Sequence, residues 1–420
     1  MIPPSPGFFA AGPSARRSCF SDNLARMSTS LTDFCRAEIA ALKDAKTWKS
    51  ERVLEGPTGV RVRVDGRDVL MLTSNNYLGF ANHPRIVKAA KDALTRWGNG
   101  LGSVRFICGT QALHKELEET ISRFFGTEDT ILYMSCWNAN EGLFAPLLSE
   151  EDGLLTDALN HASIIDGARL CKAKRFVTPH GDLAALEKTL KEASSLRRRL
   201  FITDGVFSME GEIGPLDAFA DLCERYDTTF VVDDSHATGV LGKTGRGSAE
   251  ELQVMDRVSL FTSTLGKAMG SAAGGFTTGP APVVDLLRQR SRTSLFSNAL
   301  PPAVVASSLE AFRMLMEDPS PAHRVQQNAR LFRARMAAAG FRIPHGIHPI
   351  VPVIVGDTAK ALAMSEALFK RGVYVSGFGF PVVPKGHARL RCQISAIHTE
   401  ADLDEAVEAF VAVGKEFGVV

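Results

Sequence analysis

The sequence predicts an α/β protein: a large, mostly parallel sheet domain followed by a smaller C-terminal α+β domain. Three observations predict it. From about His83 to Val283, short apolar runs alternate with helix-period segments, the pattern of a sheet covered by helices on both faces. Pro301-Pro302 breaks that rhythm, and helices and strands then follow in a different order. Two of the apolar runs also close on polar clusters, Asp233-Asp234-Ser235-His236 and Thr264-Leu265-Gly266-Lys267. The carboxyl ends of buried strands are where an open α/β sheet builds a ligand site.

The elements follow in order. Residues 1–30 hold Arg16, Arg17 and Arg26 against the single acid Asp22, among Pro, Gly and Ser. This segment reads as a disordered tail or a targeting segment, with Met27 as an alternative start; its prolines weigh against an amphipathic helix. A cytoplasmic location follows from the first reading, the mitochondrial matrix from the second. Residues 31–80 form an N-terminal helix and hairpin. Leu31, Phe34, Ile39 and Leu42 recur at helical spacing, and the pattern carries on towards Trp48. Val60, Val62 and Val64 alternate, Asp65-Gly66 turn, and Val69-Leu70-Met71 return before the polar loop Ser74–Gly79.

Residues 81–302 form the large domain. Helical patterns lie near 84–97, 111–125, 138–148, 182–196 and 216–226. Strand-like runs are Thr130–Met134, Gly153–Thr156, Arg199–Thr203, Thr229–Val232 and Arg257–Phe261. Gly98–Ser103 only loosely matches a dinucleotide fingerprint, and it follows a helix instead of a strand, which excludes that reading. Residues 303–420 form the small domain: helices over Ala303–Met316, Arg324–Ala339 and Ala359–Arg371, and strands over His348–Val355 and Ala388–Ile394. Thr399-Glu400-Ala401-Asp402 is a capping box that opens a last helix.

Over 420 residues, 48 Lys+Arg face 47 Asp+Glu, a formal charge of +1. That balance excludes nucleic acid or an anionic membrane as the main partner, and no apolar run reaches the length of a membrane span. The seven cysteines show no Cys-x-x-Cys pair and no metal-ligand spacing, so they read as reduced thiols and no metal is expected.

A Lys, an Asp and a His at strand ends are the parts that hold pyridoxal phosphate (PLP). The Lys bonds the aldehyde, and the Asp keeps the pyridine nitrogen protonated. Lys267 alone reads as a solvated surface group, but Asp233 and His236 lie about thirty residues before it, and Gly270, Gly274 and Gly275 follow. Asp233 ends the run Phe230-Val231-Val232 and needs a buried partner; Asp234 is the second of the pair. His236 can donate to the phenolic oxygen, and His161, after Leu154-Leu155-Thr156, can stack on the ring. Ser135-Cys136-Trp137-Asn138 precedes a helix and offers amides to a phosphate, with Ser208 and Thr264 adding hydroxyls. Arg389 and Arg391 alternate in a strand and share a face. Either can hold a substrate carboxylate.

From about Leu31 to Val420 the chain resembles the α-oxoamine synthases, PLP enzymes of the aspartate-aminotransferase fold type (fold type I). The resemblance rests on SVRFICGTQ at 103–111, DALNHASIIDG at 157–167, TDGVFSM at 203–209, RQRSR at 288–292 and PVVPKG at 381–386. The segments around Ser103 and Asn160 favour the branch that condenses glycine with acetyl-CoA to give 2-amino-3-oxobutanoate and CoA. Run in reverse, that reaction completes threonine breakdown. Other members take another amino acid or a longer acyl-CoA.

The resemblance implies catalytic roles for Lys267, His161, Asp233 and His236. It implies cofactor contacts for Cys136, Trp137, Ser208, Asp234, Ser235, Thr264, Leu265 and Gly266. Ser297 and Asn298 would reach the phosphate in a partner subunit, so a homodimer with a shared site is implied. Arg391, with Asn75 and His161 nearby, would hold the glycine carboxylate, which favours Arg391 over Arg389. Trp137-Asn138 departs from the Phe-Asp of these members.

Overall fold

Leu154, Leu200, Ile202, Val231 and Leu260 are buried against one layer of helices, and Leu155, Phe201, Phe230, Val232 and Phe261 against the other. This period-two division of consecutive apolar residues makes a sheet covered on both faces. In the computed structural model, which describes residues 29–45, 47–270 and 272–420, seven strands form that sheet. Their spatial order is Asp129–Tyr133, Gly275–Gly279, Leu260–Thr264, Thr229–Asp233, Arg199–Asp204, Gly153–Asp157 and Lys174–Thr178. All run the same way except Gly275–Gly279, which is antiparallel to both neighbours. The register sets Asp204 beside Asp233, and Asp233 beside Thr262, so the chemistry-bearing ends share one edge.

Two strands lie where no element was expected. Lys174–Thr178 is an edge strand whose residues are mostly exposed, so it shows no apolar run. Gly275–Gly279 is a Thr-rich strand bounded by glycines, and Gly275 is where a neighbouring backbone comes closest: a Cβ there would overlap Ser135 and Cys136. The helix expected over 138–148 is two, Cys136–Glu141 and Phe144–Leu147. They part at Gly142, where a Cβ would overlap Ser291 and Thr293.

The small-domain core gathers Phe332, Phe341, Met364, Leu368, Val353, Leu390 and Phe410. Its sheet pairs Ile350–Gly356 with Ala388–Gln393, and the latter with Ser376–Phe378, all antiparallel. The hairpin Arg61–Val64/Arg67–Met71 turns at Asp65 and Gly66 with φ of 48° and 74°, as Asp-Gly predicts. It joins Val373–Tyr374 in a three-stranded sheet, and Leu70 and Leu72 enter the small core. The hairpin expected in a separate 31–80 segment thus packs with the C-terminal elements. The change of core expected at 302/303 falls later, because helix Pro302–Glu317 supplies Val305, Leu309 and Phe312 to the large core. Helix Ser320–Ala338 spans both, with Ala322 and Val325 in the large core and Ala329, Phe332 and Met336 in the small one.

The chain divides into two units between Arg52 and Val53. In the first, helix Thr29–Asp44 forms as the Leu31, Phe34, Ile39, Leu42 pattern predicts, and all four side chains are exposed. The helix ends before Trp48. The expectations for residues 1–28 concern positions outside the described residues. Among the described residues, no helix is long and apolar enough to cross a membrane.

Gly275→Ala tests this backbone approach. Overpacking of this kind costs about 1–3 kcal/mol, so urea unfolding of the variant should show a lower midpoint with an unchanged slope.

Candidate active site

Four strand ends and the loops after them build the site. Asp233, the last residue of Thr229–Asp233, is buried at 3% exposure, and its carboxylate is braced from two sides. Asn140 Nδ2 donates at 2.6 Å, and the Ser235 amide donates at 3.0 Å. The Cys136 thiol lies 3.8–4.0 Å away. Burial pushes that thiol well up, with the Asp233 charge adding to the effect, so Cys136 is a neutral wall of the site. Ser235 Oγ closes the group against Cys136 Sγ at 3.2 Å.

Asn140 ties this carboxylate to one further strand and one helix. Its Oδ1 accepts from Thr262 Oγ1 at 2.8 Å, and its Nδ2 also reaches Ser163 Oγ at 2.9 Å. Ser163 Oγ in turn lies 2.8 Å from His161 Nδ1. His161 follows strand Gly153–Asp157 and caps helix Ala162–Leu170. Its amide donates to Asp204 Oδ2 at 2.6 Å, while Trp137 meets its ring edge-on at 5.9 Å. The ring itself is open to solvent, yet desolvation by the surrounding protein lowers its pKa.

Lys267, in the turn after Leu260–Thr264, is half-buried. Burial lowers its ammonium pKa; attraction to Asp233 opposes the shift and repulsion from Arg391 adds to it. The turn is fixed by Thr264, whose Oγ1 accepts from the Gly266 amide at 3.0 Å and donates to the Gly274 carbonyl at 3.2 Å. The Leu265 amide donates to the same carbonyl at 2.9 Å, and its side chain is fully buried.

His236 is buried, and desolvation, aided by Lys267 and Arg391, holds it well below the usual imidazole range. Its Nδ1 lies 2.9 Å from the Tyr77 hydroxyl, and its carbonyl accepts from His348 Nε2 at 2.8 Å. Arg389 and Arg391 share a face but not a partner. Arg389 Nη1 donates to Glu210 Oε1 at 3.1 Å and to the Met209 carbonyl at 3.0 Å. Arg391 Nη2 reaches Asn75 Oδ1 at 3.2 Å, and its buried Nε has no hydrogen-bond partner.

The structure therefore brings Lys267, Asp233, Ser235, His236, His161, Cys136, Trp137, Thr264, Arg391 and Asn75 into one connected neighbourhood. Ser208 is half-buried at the tip of the hairpin Val206–Phe207/Glu212–Ile213. Asp234 departs from expectation: its fully buried carboxylate turns to the Ser248 amide and hydroxyl, away from Asp233. The amides expected to form an anion site at 135–138 are partly used, since Ser135 Oγ accepts from the Asn138 amide at 3.2 Å. Asn298 bridges Val104, and Ser297 borders a crevice with Arg105 and Tyr133. Asn140, Tyr77 and Asp204 were not anticipated. Asp204 was detectable as an acid closing a buried strand.

Comparison with known proteins finds relatives along most of the chain. Residues 67–410 match the family of class I and II aminotransferases. The chain is 51% identical over 392 residues to a mitochondrial 2-amino-3-ketobutyrate coenzyme A ligase of Homo sapiens, covering 93% of this chain and 94% of that protein. It is 50% identical to 2-amino-3-ketobutyrate coenzyme A ligase of Escherichia coli K12, covering 89% and 94%. An 8-amino-7-oxononanoate synthase of Thermosipho melanesiensis is 46% identical, with 91% and 98% covered. Among solved structures, a serine palmitoyltransferase from Sphingomonas wittichii superposes with a TM-score of 0.88 at 29% identity, covering 93% of this chain and 99% of that one.

Burial raises the Asp234 pKa to about 7, although the Ser248 bonds pull it down. A carboxyl raised in the fold stabilises it fully below the unfolded value, and that stability is lost as pH rises through the folded value. Asp234→Asn, which does not ionise, should therefore compare better with the parent at pH 8 than at pH 4. Urea unfolding at the two pH values measures this; a constant difference would show that Asp234 does not titrate there.

Proposed function

The chain belongs to the class I and II aminotransferase family, and we propose that it is a glycine C-acetyltransferase. It is a PLP-dependent acyltransferase that joins glycine to acetyl-CoA, releasing L-2-amino-3-oxobutanoate and CoA. The observation that carries this reading is that Lys267 and braced Asp233, at one edge of the large sheet, meet Arg391 from the small-domain sheet. The residues fit PLP and an amino acid: the buried, unpartnered Arg391 Nε suits a carboxylate, and the half-buried Lys267 has its pKa lowered. When bound, PLP supplies an aldehyde for the lysine and a protonated ring that draws electrons from the carbon next to the substrate nitrogen.

The chain's own residues do the rest. Asp233, locked by Asn140 and the Ser235 amide, holds the proton on the ring nitrogen. His236, whose Nδ1 lies 2.9 Å from the Tyr77 hydroxyl, would donate to the phenolic oxygen from its other ring nitrogen. His161, oriented by Ser163, offers its ring face for stacking. Ser208 and Thr264, with the amides after Cys136, serve the phosphate. Arg391 and Asn75 grip the glycine carboxylate and so fix which Cα–H bond faces Lys267. With its pKa lowered, Lys267 Nζ is available to take that proton. The new carbon–carbon bond forms at the acetyl carbonyl as the C–S bond to CoA breaks. In the cell we assign the reverse cleavage, giving glycine and acetyl-CoA from the product of threonine oxidation.

We also propose a homodimer in which Ser297 and Asn298 contact the phosphate bound by the partner. Phe106, Ile107 and Phe296, exposed at 64%, 70% and 68% beside these residues, support a covered face here. The human relative is named as mitochondrial and the bacterial ones carry no organelle in their names. We assign this chain to the cytoplasm, with the mitochondrial matrix as the alternative if residues 1–30 are a transit peptide.

The test is glycine-dependent release of CoA thiol with acetyl-, succinyl-, pimeloyl- and palmitoyl-CoA. Preference for acetyl-CoA supports the proposal, whereas preference for pimeloyl- or palmitoyl-CoA moves the chain to the branch of its synthase relatives. Lys267→Ala should lower turnover by at least about 10²–10⁴-fold, the range for a positioned acid–base group. Arg391→Ala should raise the glycine KM far more than the acetyl-CoA KM in steady-state kinetics.

A further inference from the structure

His180 belongs to none of the roles above, yet it stands between two parts of the site. It follows the edge strand Lys174–Thr178, and its side chain is 22% exposed. Nδ1 faces both oxygens of Asp157 at 3.0 and 3.1 Å. Asp157, buried at the end of Gly153–Asp157, also accepts from the Leu159 amide at 2.8 Å and the Gly181 amide at 2.9 Å. It thereby shapes the turn 158–161 that ends in His161. On its other side, His180 Nε2 is buried without a hydrogen bond and faces Glu212 Oε2 at 3.7 Å. Its ring packs edge-on against Phe207 at 4.3 Å. Phe207 and Glu212 are opposite residues of the hairpin whose tip is Ser208.

We propose that His180 is a positioning residue: seated between Asp157 and Glu212, it ties the hairpin carrying Ser208 to the turn carrying His161. The idea rests on the cofactor roles proposed above for those two residues. The hydrogen bond to Asp157 and the nearby charges of Glu212 and Glu210 raise the His180 pKa, against desolvation. Burial pushes the Asp157 carboxyl up, but His180 and the two amides hold it below its usual range. Arg389, on the small-domain sheet, already engages Glu210, which leaves Glu212 as the hairpin carboxylate facing the imidazole. The charged ring has an N–H for each acid, whereas the neutral ring keeps only the one towards Asp157. The hairpin arm is therefore fully present below the ordinary imidazole range and is lost as pH rises through the raised value.

Deuterium exchange of the full PLP-loaded chain tests this without depending on turnover. His180→Phe should speed exchange in 158–161 and in 206–213 by about tenfold, the effect of losing a charge-assisted hydrogen bond. Glu212→Gln should speed 206–213 alone, and only below the His180 pKa. In the parent, exchange in 206–213, corrected for its intrinsic pH dependence, should accelerate as His180 loses its proton. Unchanged exchange in both segments, or equal acceleration across the central strands, overturns the proposal. If His180→Phe does not fold, the Glu212→Gln variant and the parent's pH profile decide it alone. Failure to release CoA from acetyl-CoA would sink the acetyltransferase reading and leave these exchange results standing.

Discussion

The structure depends on one buried carboxylate being held in place. Asp233 ends an apolar strand, where an isolated charge is strongly disfavoured. Asn140 and the Ser235 amide meet that cost, and Asn140 does so while bonded to Thr262 and Ser163. Two strands and one helix thus converge on a single amide. Half-satisfied networks of this kind destabilise a fold, whereas complete ones fix a unique arrangement. The same bonds that make Asp233 tolerable also aim it, and they pass orientation to His161 through Ser163.

Around that anion the site collects basic groups whose charged forms burial disfavours. Lys267 and His236 are both held below their usual ranges, chiefly by burial, and Arg391 adds repulsion to each. His348 follows the same logic at about 3, which leaves it neutral and free to brace the His236 carbonyl. The result is an imidazole that stays uncharged beside a lysine able to give up its proton. Perturbed groups that sit in a cleft with a specific charge partner are characteristic of reactive sites.

Much of this was legible in the chain because local chemistry and global packing agree. Asp65-Gly66 demands a left-handed turn and has one, and Thr399 and Asp402 cap each other as their spacing predicts. The strand end at Asp233 was visible because its run is buried on two faces, whereas the strand expected over Arg257–Phe261 lies three residues later, at Leu260–Thr264. What was hidden lacks such contrast. Lys174–Thr178 is polar because it is an edge, and Gly275–Gly279 is glycine-bounded because Cys136 sits against its first residue and Leu260 and Ser259 against its last. Asn140 and Tyr77 carry no spacing signal, since their partners come from other elements. Asp233 and Asp234 are adjacent and alike in sequence; only the side of the strand end on which Ser248 lies separates them.

The two arginines of Ala388–Gln393 show where sequence periodicity stops and tertiary structure begins. Alternation puts Arg389 and Arg391 on one face, and that much follows from strand geometry alone. Their different fates come from what each meets two residues apart. Arg389 meets the acidic tip of the Ser208 hairpin and is neutralised by Glu210. Arg391 meets the loop at Asn75, an amide, and so keeps its charge and a spare donor. A guanidinium already paired with a carboxylate is a poor anchor for another, whereas a buried one with an unused N–H gains most from a carboxylate ligand. Which arginine keeps an unused donor is thus a property of the two loops opposite the strand. Exchanging the Glu210 and Asn75 environments would exchange which arginine keeps that donor without altering the strand itself.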